Sequence, residues 1–158
     1  MDKINIIEEL TLDQLKDKKY KFRIPLYQRK YAWTSDEVII LLDDLKTFST
    51  KIDNTSNEKY FIGNIVVEQK EDGLFDIIDG QQRFTTLFLI AKIIKRQYYE
   101  LNYEIREEDD NFLKNFNYDE TKEILYDGAD IQFQENIEAI LKFQKENNCK
   151  IENILPLC

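Results

Sequence analysis

The segment Leu74-Phe75-Asp76-Ile77-Ile78 runs directly into Asp79-Gly80-Gln81-Gln82-Arg83, and then into Leu87, Ile90, Ala91 and Ile94 at helical spacing. That order predicts a strand that turns at a glycine straight into a helix. No other stretch constrains the fold as much. A glycine turn at a helix mouth leaves unpaired N–H groups and the positive end of the helix dipole facing outward, which favours phosphate or another anion. Two amides and a guanidinium in fixed order add donors. A structural reading fits the same residues: Asp79 caps the helix and Gln82 closes a capping box. Spacing alone leaves both open.

The rest of the chain supplies a frame for that junction. Ile4-Asn5-Ile6-Ile7 reads as a short strand, and Thr11-Leu12-Asp13-Gln14-Leu15 as a short helix capped near Thr11. Phe22-Arg23-Ile24-Pro25 is expected to be extended, because the residue before proline avoids the helical region. Thr34-Ser35-Asp36-Glu37 is a capping box, and Val38, Leu41, Leu42, Leu45 and Phe48 then mark a helix over about 35–52. The polar stretch 53–57 should be a loop. Residues 60–68 are β-branched and aromatic and predict a strand. Asp72-Gly73 turns it back into the strand 74–78 as an antiparallel hairpin. The helix after Gly80 is expected to reach about Glu100, with further helices over 111–126 and 131–147. The fold class is therefore α+β, with a core over 1–105 and a helical, acidic segment over 106–158 that begins a larger helical region. The apolar end, Ile154-Leu155-Pro156-Leu157-Cys158, reads as a point where more protein follows.

Composition narrows the chemistry. Histidine is absent, which excludes a Ser-His-Asp or Cys-His nucleophile, a histidine zinc site and a His-Asn-His nuclease within these 158 residues. Acid–base work would fall to carboxylates, Lys, Tyr or a metal-bound water. Cys149 and Cys158 have no metal-like or redox-like spacing, and no signal-peptide or membrane-spanning pattern is present. A cytoplasmic setting without a membrane partner is the expectation. The net charge of −9 is uneven. Residues 1–100 hold 16 Lys and Arg against 17 Asp and Glu, whereas residues 101–158 hold 6 against 14. Within the first part, Lys16, Lys18, Lys19, Lys21, Arg23, Arg29 and Lys30 face only Asp17, a local excess that either steers a polyanion or is plain solvated surface.

Two further constellations flank the junction. Tyr27-Gln28-Arg29-Lys30-Tyr31-Ala32-Trp33, stiffened by Pro25, alternates donors with stacking faces, suited to phosphates, base edges or bases. Core packing of Tyr27, Tyr31 and Trp33 is the competing reading, and Trp33 has the position of a hydrophobic staple before Thr34. In Phe61-Ile62-Gly63-Asn64, the strand glycine marks either a bulge or close approach of a ligand, with Asn64 touching it. Thr85 and Thr86 bond back to the backbone or line the pocket. Asp76, Asp79 and Glu68 are each plausible metal ligands, and nothing in their spacing selects one. No P-loop sequence occurs.

Three segments together carry a resemblance: Ile24-Pro25-x-Tyr27-Gln28-Arg29-x-Tyr31-x-Trp33, Tyr60-Phe61-Ile62-Gly63-Asn64-Ile65-Val66, and Asp79-Gly80-Gln81-Gln82-Arg83-x-Thr85-Thr86-Leu87. In this order and spacing the chain resembles the N-terminal domain of GmrSD-type modification-dependent restriction enzymes, which looks like a ParB/sulfiredoxin-like fold with a small mixed sheet. The resemblance implies an NTP-binding, NTP-hydrolysing sensor domain of a phage-defence system, working with NTP and Mg²⁺ on DNA, modified or not. It implies a nucleotide and phosphate pocket of Asp79, Gly80, Gln81, Gln82 and Arg83, with Asp79 and Arg83 in catalytic roles, and the residue readings above add Thr85, Gly63 and Asn64 to the nucleotide-binding set. Tyr27, Gln28 and Arg29 would lie beside it and contact nucleotide or DNA, and Lys30 joins them in the expected DNA-binding set. In such proteins a C-terminal His-Asn-His-type domain nicks DNA, so a nuclease domain or subunit is an expected partner. A non-catalytic DNA-binding module is the alternative, and a purely structural motif the third reading.

Overall fold

The computed structural model describes residues 6–53, 55–104 and 106–158. The protein is α+β: among the described residues, four strands form one mixed sheet, accompanied by six α-helices. Helix α1 (Leu12–Lys18) opens on Thr11, whose hydroxyl accepts from the Gln14 amide while the Gln14 side chain returns a bond to Thr11 N. Strand β1 (Lys21–Ile24) stops at Pro25, which has no N–H to continue a ladder. Helix α2 (Ser35–Lys51) starts on the Thr34–Glu37 capping box. The strands β2 (Val66–Gln69) and β3 (Phe75–Asp79) form the expected antiparallel hairpin. Helix α3 (Gln81–Ile93) follows at once, then β4 (Glu100–Tyr103), α4 (Glu107–Asn115), α5 (Ile131–Asn147), α6 (Ile151–Ile154) and a 3-10 turn (Leu155–Leu157).

The strand order is β2-β3-β1-β4, with β1 parallel to both β3 and β4. Register pairs Phe22 with Phe75 and Leu101, and Ile24 with Tyr103, so one face of the sheet is apolar. That face packs on α3. Phe22 meets Phe84 edge-on at 4.8 Å, and Phe84 stacks on Tyr99 at 3.9 Å. Every residue of α3 except Arg83 and Lys92 is buried. A helix buried all round belongs to the centre of a core, and α5, which also packs on α2, lies against it. The segment 106–158 thus contributes α5 to the core around the helix that the glycine turn begins.

The opposite face of the sheet is polar. Arg23 Nε donates to Asp76 Oδ1 at 2.7 Å, and Lys70 Nζ lies 3.7 Å from Asp76 Oδ2. These cations compensate a carboxylate that is only 4% exposed. Glu68 also pairs with Lys70. Two of the three candidate metal carboxylates, Asp76 and Glu68, are therefore bound into a sheet-face ion-pair network.

Several elements differ from expectation. Residues 60–65 form no ladder, because Gly63 adopts a left-handed φ of 109° and the segment crosses over the start of α3 instead. Helix α3 stops well before Glu100. Lys95 takes φ 57°, and Glu100-Leu101-Asn102-Tyr103 becomes a strand whose alternating burial the helical reading hid. The helix expected over 111–126 is Glu107–Asn115 only. Asn117, Tyr118 and Asp119 are poor helix formers, and Asp119 instead caps a turn by accepting from Thr121 N (3.0 Å) and Thr121 Oγ1 (2.7 Å). Of the strand expected at 4–7, residues 4 and 5 lie outside the described residues, and Ile6 and Ile7 are exposed and unpaired. Asn54 of the polar loop also lies outside them.

Candidate functional site

The parallel strands β1 and β3 end side by side, and the segments that leave their C-terminal ends enclose a cavity of about 300 Å³. In open sheets with parallel strands, ligands lodge in the crevice beyond those carboxyl ends. From β3 come Ile78, Asp79 and the first turn of α3; from the segment after β1 come Gln28, Arg29 and Trp33; Asn64 closes the rim.

Gly80 is the N-cap of α3, at φ 89°. A Cβ there would lie 3.0 Å from Asn64 O and 3.1 Å from Ile65 Cγ1, so the crossing segment rests directly on it. No side chain caps the helix. Asp79 accepts from Gly80 N at 2.9 Å and does not take the N-cap position. Gln82 does not close a capping box either. The first turn of a thirteen-residue helix therefore presents its N–H groups to the cavity without a capping acceptor.

The two glutamines fasten the opposite wall. Gln81 Nε2 donates to Arg29 O. Gln82 Nε2 donates to Lys30 O at 3.0 Å, while its Oε1 accepts from Ala32 N (2.6 Å) and Trp33 N (3.1 Å). Both residues line the cavity, but their amide nitrogens donate to the backbone of residues 29 and 30. Gln28, which also lines the cavity, donates from Nε2 to Ile77 O (3.3 Å) and Ile78 O (3.0 Å).

Arg29 and Arg83 carry the charge of the site. Neither has a carboxylate partner among the described residues, whereas Arg23 is doubly paired. The Arg83 guanidinium occupies the bare face of Gly63, where a Cβ would lie 2.9 Å from Cζ. Asp79 is the single carboxylate in the lining. Close by, hydrogen bonds from Thr34 hold the Glu37 carboxyl below its usual pKa, and the field of Arg29 adds to this. Among the described residues no group of three or more His, Cys, Asp or Glu side chains could hold a metal by itself.

The structure brings together Gln28, Arg29, Asn64, Asp79, Gly80, Gln81, Gln82 and Arg83 around the cavity, and four other candidates do not line it. Gly63 lies behind Arg83. Thr85 is fully buried one turn below Gln81, 3.1 Å from the Tyr103 hydroxyl, whose own pKa burial pushes up. Lys30 pairs with Asp130 at 2.9 Å. Tyr27 is exposed at the turn Pro25–Gln28. The basic stretch divides as well. Lys18, Lys21, Arg23 and Lys30 are ion-paired, and α1 sits at the opposite end of β1 from the cavity. Trp33 is partly buried against the core and also lines the cavity.

One residue lay beyond the sequence reading. Asn136, on α5, is fully buried and donates to Trp33 O (2.7 Å) and Tyr31 OH (2.9 Å). Its signal was an amide set within the apolar stripe of Phe133, Ile137 and Ile140. Tyr31 in turn lies 2.7 Å from Thr86 Oγ1 and stacks on Phe133, and burial lifts its pKa to about 12.

A family model described as "GmrSD restriction endonuclease, N-terminal domain" matches residues 7–155. Among curated proteins, none matches the chain.

Proposed function

The chain belongs to the GmrSD restriction endonuclease N-terminal domain family, and on that premise we propose that it is the NTP-binding and NTP-hydrolysing sensor domain of a phage-defence restriction protein. The observation that carries this reading is the cavity itself. An uncapped helix mouth at Gly80 and two arginines without a carboxylate partner among the described residues converge on it in a chain whose net charge is −9. Oriented N–H groups and guanidinium forks favour a polyanion of phosphate dimensions, and about 300 Å³ is at the lower end of small-ligand sites.

In this reading the first-turn amides of α3 and Arg83 bind the phosphates, and Arg83 offsets negative charge that develops during phosphoryl transfer. Arg29 closes the opposite side, and Trp33 offers a face for a base. The donor set fits a nucleotide arriving with its own Mg²⁺ better than a resident metal, since Asp79 is the lone carboxylate and Mg²⁺ is commonly held by one or two carboxylates plus phosphates. Mg²⁺ would supply charge neutralisation across the phosphates. Asp79 would hold it, or orient a water. DNA, modified or not, would meet the exposed Tyr27 and Arg29 at the rim, and cleavage would fall to a nuclease domain or subunit. Among the described residues no helix is long and apolar enough to cross a membrane.

The deciding experiment is calorimetric titration of ATP, GTP, CTP and UTP with Mg²⁺ into the protein and into Arg83→Ala. Binding of at least one NTP, lost in the folded variant, is expected. Absence of binding by all four to the parent protein defeats the reading.

A further inference from the structure

We propose that helix α5 braces a wall of the cavity and that Asn136 is its positioning residue, setting where Arg29 and Trp33 stand. The wall formed by residues 29–33 is tied from two sides. From α3, Gln81 and Gln82 bond the backbone of Arg29, Lys30, Ala32 and Trp33. From α5, Asn136 bonds Trp33 O and Tyr31 OH, and Asp130, the α5 N-cap, pairs with Lys30.

The two sets of ties are joined. The Tyr31 hydroxyl lies between Asn136 Nδ2 (2.9 Å) and Thr86 Oγ1 (2.7 Å), and Thr86 Oγ1 donates to Gln82 O at 2.9 Å. A continuous run of hydrogen bonds therefore leads from α5 through Tyr31 to the first turn of α3. Buried networks of this kind fix one arrangement when every member is satisfied. Asn136 meets that condition. Its Oδ1 faces Gln132 Nε2 at 3.3 Å and Ser35 Oγ at 3.4 Å, while both bonds of Nδ2 go to the wall. Any partner that shifts α5 would alter the cavity without touching it. The ligand part of this inference rests on the nucleotide reading above; the geometric part does not.

Trp33 is the sole tryptophan of the chain, so its emission reports the wall directly. The experiment compares the parent protein, Asn136→Ala and Tyr31→Phe by quenching of Trp33 with acrylamide and by Mg·NTP titration. Tyr31→Phe removes only the hydroxyl and keeps the ring stacked 4.9 Å from Phe133, so it carries the test if Asn136→Ala does not fold. Both variants should increase Trp33 quenching and weaken the Kd of the bound NTP, by about tenfold for Asn136→Ala. Asn136→Gln, which retains the amide, should recover part of the loss. Unchanged quenching in the folded variants overturns the proposal. If the parent protein binds no NTP, the proposed function fails, and the quenching comparison still decides whether α5 holds the wall.

Discussion

The guanidinium of Arg83 lies against the bare backbone of Gly63, close enough that an added Cβ would stand 2.9 Å from its Cζ. Gly63 also holds φ 109°, which L side chains rarely adopt. The glycine thus serves two purposes, letting the chain bend over α3 and giving Arg83 a place to lie. Gly63→Ala should cost about 1–3 kcal/mol of stability from the backbone alone. It should also displace Arg83 and weaken NTP binding more than the stability loss accounts for. Urea denaturation and calorimetry on the same preparation check both parts.

Gln82 satisfies three backbone groups with one side chain. Gln82→Ala strands Lys30 O and two amides, and each unsatisfied buried group costs about 1–3 kcal/mol. A loss of about 2–4 kcal/mol is expected, because part of the wall can rehydrate. Gln82→Glu keeps the acceptor for Ala32 N and Trp33 N and should lose less. Equal destabilisation by the two, measured by chemical denaturation, would contradict this arrangement.

Asp79→Asn separates two roles for the lone carboxylate of the cavity. If Asp79 holds Mg²⁺, the variant loses affinity for Mg·NTP. Binding of the metal-free nucleotide should be unchanged or tighter, since a like charge beside the phosphates is gone. Titrations with Mg²⁺ and with excess chelator give the comparison. Equal loss in both conditions would mean that Asp79 shapes the turn through Gly80 N rather than serving a metal.

Asp109 gives a pH signature of known sign. Burial raises its carboxyl above the ordinary 3.8, although it accepts a 3.0 Å bond from Asp130 N. The folded state therefore holds this proton more tightly than the unfolded chain does. Its contribution is most favourable below the ordinary value and is lost as pH rises through the raised one. Asp109→Asn keeps an acceptor and removes the titration. Its stability relative to the parent should grow from about pH 3 to about pH 7. A difference that shrinks over that range, in urea midpoints, would reverse the assignment.

What the sequence makes legible here is what is local. The Thr34–Glu37 capping box, the Asp72-Gly73 hairpin and the strand-to-helix turn at Gly80 each depend on residues within a few positions, and each stands where the pattern places it. Strand β4 was hidden because Tyr98 and Tyr99 continue the apolar run of α3. Only pairing with β1, far upstream, makes residues 100–103 extended. Gln81 and Gln82 look like free donors in the sequence. Their commitment to residues 29–33 depends on β1 and β3 lying side by side, which no spacing reveals. Asn136 could be suspected from its place in an apolar stripe, but its partners could not.

The dependence of the cavity wall on α5 has a consequence for biosynthesis. Every residue of the signature has left the ribosome before α5 exists, yet the wall that carries Arg29 and Trp33 lacks its bonds to Trp33 O and Tyr31 OH until Asn136 emerges. A nascent or prematurely terminated polypeptide ending ahead of α5 would display the whole motif to a sequence search. In the cell its cavity wall would still be short of those bonds.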